Sequence, residues 1–228
     1  MKRKPNKRKR PGRRRRPKDV EELHLFSIEI TDDDDFNPHG FEITDEIADA
    51  VNKYREVCND NPKQAVKELP DVIKQLPQVP QLRNHLFVAL KRLGRYEEAY
   101  VVNDNAMRDF PDYIYATMNK AIQHWEKDEL DEVEKVLGGM PLTINRSFPK
   151  RKVFHVSEVF AYESFMVRFW LSKDSLEGAE SHFHLLKELA PNHPMLPELK
   201  RQIEMHSLKG MFSGLTKLMN RPRGRGKK

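Results

Sequence analysis

The residues best placed to do chemistry in this chain are cations. Residues 1–18, MKRKPNKRKRPGRRRRPK, hold 12 Lys/Arg and no acid, and residues 221–228, RPRGRGKK, hold five and no acid. Each Lys or Arg laid against a phosphate backbone releases counterions, so such arms give strong, salt-sensitive, sequence-independent binding. Arg13, Arg14, Arg15 and Arg16 at one end and Arg221, Arg223 and Arg225 at the other are the expected contacts. Neither arm contains an aromatic residue, so base stacking is not implied. RNA, including ribosomal RNA, is the natural target class. An import receptor or an anionic membrane surface would read the same charges, and tails that only solubilise are the plainest account. The remaining body has 24 basic against 35 acidic residues, a net charge of −11. Like-charge blocks this dense resist collapse, so both ends are expected to be disordered in isolation.

Other constellations fall short of a reaction. GMFSGLTK (210–217) lacks the adjacent Gly-Lys-Ser/Thr of a phosphate loop. His182 and His184 are two apart on a helical pattern and point to different faces, whereas a helical metal pair needs three or four. DFNPHGFEITDE (35–46) matches a calcium loop at Asp35, Asn37, Gly40 and Glu46 but fails at His39 and Glu42, and no helix precedes it. The same residues make an ordinary turn. Ser157 and Ser164 carry no nucleophile signature, and Cys58, the single cysteine, has no Cys-x-x-Cys partner. A lone cysteine excludes an internal disulfide and argues for a reducing compartment. No apolar run is long enough to span a membrane, and no apolar core follows the basic N-terminus as in a secretory signal. A non-enzymatic protein without cofactor or metal, in the cytoplasm or, in a eukaryote, the nucleus, is the expectation.

The elements that carry these residues are mostly helical. HLFSIEIT (24–31) and GFEIT (40–44) alternate apolar and polar residues, and read as a short hairpin or as an extended arm on the helical body. Thr44 is an expected N-cap, with Asp45 and Glu46 in the first turn, and Ile47, Val51, Tyr54 and Cys58 recur at helical spacing. Further helices are expected over about 62–76, with Pro70 inside, and over 80–93, 96–109, 113–126, 129–139, 156–172, 175–189 and 194–206. In SLKGMFSGLTKLM (207–219), Leu208, Met211, Phe212, Leu215, Leu218 and Met219 form one apolar stripe, weakened by Gly210 and Gly214. It reads as a capping helix, or as an amphipathic segment for a partner or membrane. The organisation is thus a basic tail (1–19), an arm (20–43), a helical domain (44–206), an amphipathic capping helix (207–220) and a second basic tail (221–228).

One period organises the helical domain. Ala65, Ala99 and Val133 stand 34 apart, and so do Pro77 and Pro111, each closing a helix pair. A fixed period of this length marks a stack of repeated units. These residues resemble the tetratricopeptide repeat, over about 45–192. In the best copy Leu86, Phe87 and Leu90 pack the first helix, Leu93-Gly94-Arg95-Tyr96 makes the turn, Ala99 and Ala106 lie in the second helix, and Pro111 ends it. The next copy keeps Met118, Ala121, Ile122, Trp125, Val133 and Leu137, lacks the turn glycine, and reads as one residue shorter at the turn. The last offers Phe165, Met166, Trp170, Ala179, Phe183 and Pro191; the first, 45–77, is weak. The insertion GGMPLTINRSFPKRKVFH (138–155) reads as too polar for core, either a solvated connector or a basic loop beside the groove.

The resemblance implies an all-α fold: a TPR-like α-solenoid of about four helix–turn–helix pairs with disordered basic termini. It implies a protein-interaction scaffold whose first helices line a concave groove. Asn84, His85, Val88, Lys91, Arg92, Asn119, Lys120 and Gln123 are the candidate groove residues. They are polar and locally basic, which suits an acidic or C-terminal peptide segment. They do not reproduce the carboxylate clamp of the heat-shock chaperone adaptors. An RNA- or ribosome-associated factor held through the arms is the alternative.

Overall fold

Alternation of apolar residues at three and four along most of the chain dictates helices, and the computed structural model of the protein is a helical one. It describes residues 28–33 and 36–219, with side chains as far as residue 210. The tails at 1–19 and 221–228, and residues 24–27 of the expected first strand, lie outside the described residues. Ten helices follow one another: α1 Asp45–Asp60, α2 Pro62–Gln75, α3 Pro80–Arg92, α4 Tyr96–Asp109, α5 Ile114–Glu126, α6 Leu130–Val136, α7 Ile144–Ser147, α8 Val156–Ser172, α9 Leu176–Leu189 and α10 Leu196–Met219. Two short strands, β1 Glu29–Thr31 and β2 Val153–His155, complete the described elements. Thr44 caps α1 by accepting the Ile47 N–H, and Pro70 lies inside α2.

The turns repeat. After α3, Gly94 (φ +72°) donates its N–H to Lys91 O and Arg95 donates to Leu90 O. After α5, Asp128 (φ 60°) donates to Trp125 O and Glu129 to His124 O. After α8, Asp174 (φ 55°) donates to Leu171 O and Ser175 to Trp170 O. All three are the same Schellman closure, which needs one residue in the left-handed region. Aspartate tolerates that region where glycine is absent, because its short side chain bonds locally. The turn of the second copy is therefore of full length, not one residue shorter, and Asp128 stands 34 residues after Gly94. The connections between pairs repeat too: Val79, Tyr113 and His193 each donate to a carbonyl three residues back, at Leu76, Phe110 and Ala190, each followed by proline.

Packing is sequential. α1 meets α2 and α3, α3 meets α4, α4 meets α5, α5 meets α6 and α8, and α8 meets α9 and α10. Tyr54, Ala65, Leu69, Leu82, Ala89 and Ala99 fill one core at the N-terminal side, and Phe160, Val167, Ala179, Leu186, Leu199 and Ile203 another at the C-terminal side. α8 and α9 approach closely at Gly178, where an added Cβ would meet Trp170 Cγ and Cδ2 at 2.8 Å.

The central core corrects two expectations. The insertion is not a solvated loop: Leu142, Ile144, Phe148 and Phe154 are buried in it, against Ile114, Val133, Leu137, Tyr162 and Phe165 of the flanking helices. Nor does the described part of the first strand pair with 40–44 as a hairpin. Residues 40–44 are not a strand, and β1 pairs instead in parallel with β2 of the insertion, Glu29 opposite Val153 and Thr31 opposite His155. The C-terminal element differs as well: α10 runs unbroken from Leu196 to Met219, so the segment expected from 207 onward continues the preceding helix as far as the described residues go.

Arg151 is the cation that the insertion does not leave to solvent. It donates to both carboxylate oxygens of Glu158, at 2.9 and 2.6 Å, and to Val153 O at 3.1 Å. Both side chains are 7% exposed. The guanidinium lies 4.6 Å from the Phe154 ring centroid. Removing one partner of such a pair strands the other charge, and we expect Arg151→Met to lower unfolding stability by ~3–5 kcal/mol. Denaturant titration measures this; Arg151→Met combined with Glu158→Met should recover part of the loss.

Candidate partner-binding face

Helices α3 and α5 carry the residues that the resemblance assigns to a groove, and the structure brings several of them together. Asn119 Nδ2 donates to Asn84 Oδ1 at 2.9 Å and to Asn103 Oδ1 at 3.1 Å. Asn103 Nδ2 in turn donates to Ala116 O at 2.8 Å. This amide chain joins α3, α4 and α5. Asn103, 3% exposed, is its buried centre. Sequence reasoning passed over it, although Ala99, Asn103 and Ala106 fall on one helical stripe: a polar residue at a core position is the signal.

Ion pairs follow the same offset. Lys91 Nζ lies 2.6 Å from Glu126 Oε2, and over the Tyr96 and Tyr100 rings at 5.0 and 5.7 Å. Lys120 Nζ lies 2.9 Å from Asp104 Oδ1. Arg92 is exposed, and donates to Asn59 Oδ1 at 2.7 Å. Asn84 with Asn119 and Lys91 with Glu126 are each 35 apart in sequence, and Asn59 with Arg92 is 33 apart. Side chains of one helix pair thus reach the equivalent helix of the next. The local excess of positive charge read from the sequence is offset, because each lysine meets a carboxylate.

The other three residues turn inward. Val88 packs half-buried against the N-terminal core. Gln123 is buried, and its Oε1 has no partner among the described residues. His85 is held against the Val51 backbone of α1, and burial drives its pKa down to about 4. The Arg residues assigned to nucleic-acid contact, Arg13 to Arg16, Arg221, Arg223 and Arg225, lie outside the described residues.

Elsewhere the side chains serve the fold. In the calcium-like stretch Asp35 lies outside the described residues. Asn37 is committed to the turn: its Oδ1 accepts the His39 N–H at 3.0 Å and its Nδ2 donates to Phe41 O at 2.6 Å. His39 packs edge-on against the Phe110 and Tyr113 rings. His155 Nδ1 is 2.7 Å from Ser157 Oγ, but it also accepts the Ser157 N–H and so caps α8. His182 pairs with the buried Glu163, and His184 with Glu188. Cys58 Sγ donates to Arg55 O, and burial raises its pKa. Among the described residues no group of three His, Cys, Asp or Glu could hold a metal ion, and no described helix is long and apolar enough to cross a membrane.

No protein-family model matches this chain, and no curated protein or solved structure matches it.

The buried imidazole generates a pH dependence. His85 is neutral in the fold down to about 4, whereas in the unfolded chain it takes a proton near the ordinary value of 6.5. The unfolded state therefore binds more protons between those values. This contribution to stability is complete above ~6.5 and is lost as pH falls towards ~4, by up to ~3 kcal/mol. Burial lowers the pKa of His39 as well, which adds in the same direction. Urea midpoints between pH 7 and pH ~4.5 should fall accordingly, and His85→Gln should flatten that slope.

Proposed function

We propose that this chain is a non-enzymatic, TPR-like scaffold: about four helix–turn–helix pairs stacked as an α-solenoid, which holds a segment of another protein against its first helices. The observation that carries the reading is the one-pair offset of the polar contacts. Asn84 to Asn119 and Lys91 to Glu126 link successive first helices at nearly the same spacing. The repeated Schellman turns at Gly94, Asp128 and Asp174 support it. Stacked units of this kind expose a continuous surface of first helices, which suits an extended peptide. Arg92, exposed on α3, together with lysines that an acidic side chain could take over from Glu126 and Asp104, makes an acidic segment the ligand to test.

The experiment is direct. Lys91→Glu with Arg92→Glu should weaken an acidic peptide from a co-purifying protein at least ~10-fold by fluorescence anisotropy, since like charges would then face it. A double variant that binds as tightly as the parent removes the α3 face from the binding surface.

The charge partition favours a second reading, an RNA- or ribosome-associated factor. The arms carry +17 and the body −11, so the arms should attract nucleic acid and the body repel it. Deleting 1–18 and 221–228 should then abolish binding of a short RNA while leaving the peptide bound. Raising salt from ~0.1 to ~0.5 M should collapse RNA binding of the intact chain by orders of magnitude. RNA retained by the truncated body at physiological salt would refute the partition.

A further inference from the structure

Along the C-terminal helix the apolar residues of the sequence change register part-way. In its first half, Leu196, Leu199 and Ile203 are buried against α8 and α9. The same line of the helix continues through Gly210, Gly214 and Lys217, none of which could extend that core. The apolar residues of the second half lie elsewhere. Met205, Leu208, Met211, Phe212, Leu215, Leu218 and Met219 make a stripe centred roughly 130° around the helix from Ile203, at ~100° per residue. Because α10 is one unbroken helix to Met219, this rotation is not undone by a bend between two segments. Where the stripe begins, Met205 is 54% and Leu208 49% exposed. A helix that merely closed the open end of the body would carry its apolar residues on the Ile203 line.

Charge says what the stripe faces. After Glu204 the chain contains no acid, and it carries Lys209, Lys217, Arg221, Arg223, Arg225, Lys227 and Lys228. An apolar stripe beside uncompensated cations suits a partner that is apolar within and anionic at its surface. The body, at −11, would be held off by the same surface, and residues 1–18 offer it cations without an apolar stripe, so this segment is the one that meets both requirements. RNA would use the cations and leave the stripe in water. We propose that the helix from Met205 to Met219 docks on the interface of an acidic lipid bilayer, lying in the headgroup plane, with the positive charge of the sequence after Glu204 supplying the attraction to anionic headgroups. The two signals reinforce each other: burial of the stripe and attraction of the tail each give only reversible binding alone. No described helix is long and apolar enough to cross the membrane, so the contact is superficial.

The test uses the full-length chain and sedimentation with large vesicles, either pure phosphatidylcholine or phosphatidylcholine with about a third phosphatidylglycerol. Binding is expected to the mixed vesicles and to be much weaker to the neutral ones. Leu208→Glu with Leu215→Glu should weaken it at least ~10-fold. Its thermal melt should stay at the parent value, since neither position lies on the Ile203 line. The same loss from a chain lacking 1–18 would locate the contact at the C-terminal segment. Three results overturn the proposal: mixed-vesicle binding that the double variant leaves intact, which assigns it to tail charge alone; absence of vesicle binding together with a dimer that the double variant dissolves, which assigns the stripe to a second copy; and RNA binding, in place of vesicle binding, that the double variant abolishes.

Discussion

The buried pair of Arg151 and Glu158 is the contact on which the middle of the molecule depends. Glu158 accepts both guanidinium bonds and also the His155 N–H, completing the capping box that starts α8. Arg151 faces Val153 O, and it reaches Asp112 O at the α4–α5 connection at 3.5 Å. One ion pair thus sets where the insertion returns, where α8 begins and how both meet the preceding helix pairs. Two desolvated charges are costly, and the paired bonds to Glu158 with the bond to Val153 O offset that cost, while Arg151 Nε has no partner among the described residues. The Phe154 and Phe36 rings flank the guanidinium at 4.6 and 6.0 Å, and both charged side chains are only 7% exposed. The residues of the insertion must therefore take one arrangement, and the strand β2 that results is what holds β1 of the N-terminal arm.

This dependence explains which parts of the fold were legible in the sequence. The boundaries of the repeat helices were, because apolar periodicity and caps are local: Thr44 starts α1 and Pro80 stands at the first position of α3; the end of α10 and the short α7 were not. The 34-residue spacing was, because small residues at close helix approaches and prolines at pair ends recur. The insertion was not. Its polar majority hides four core residues, Leu142, Ile144, Phe148 and Phe154, whose burial depends on helices distant in sequence. The parallel pairing of β1 and β2 was illegible for the same reason, since register over more than 120 residues leaves no local trace. At Asp128 the rule failed differently: the turn needs a left-handed residue, and looking only for glycine missed the aspartate that fills it.

The candidate face shows how a repeat pattern can mislead about exposure. In stacked helix pairs the first helices must both pack on their neighbours and offer a surface. Spacing alone does not separate the two uses. Asn84, Asn119, Lys91 and Lys120 are spent at joints between helices, while His85 and Gln123 turn into the core. Polar joints of this kind contribute little net stability each, but a buried amide chain such as Asn103 with Asn119 and Asn84 is satisfied in one register only. What the face gains is a fixed offset between neighbouring helix pairs, and hence a surface of fixed shape.

The ends of the chain then separate by chemistry as well as by position. The body is acidic and its polar side chains are largely occupied with one another, so it has little to offer an anionic surface except repulsion. The N-terminal tail, residues 1–18, is cationic and has no apolar stripe, a composition suited to any polyanion. The C-terminal segment couples cations to an apolar stripe set off from the packing line of α10. Cations alone cannot discriminate between a phosphodiester chain and a charged membrane; an apolar stripe can, because only the membrane offers it somewhere to go. The phase of one helix, read against the residues that it buries, therefore distinguishes two ends that net charge alone would treat as equivalent.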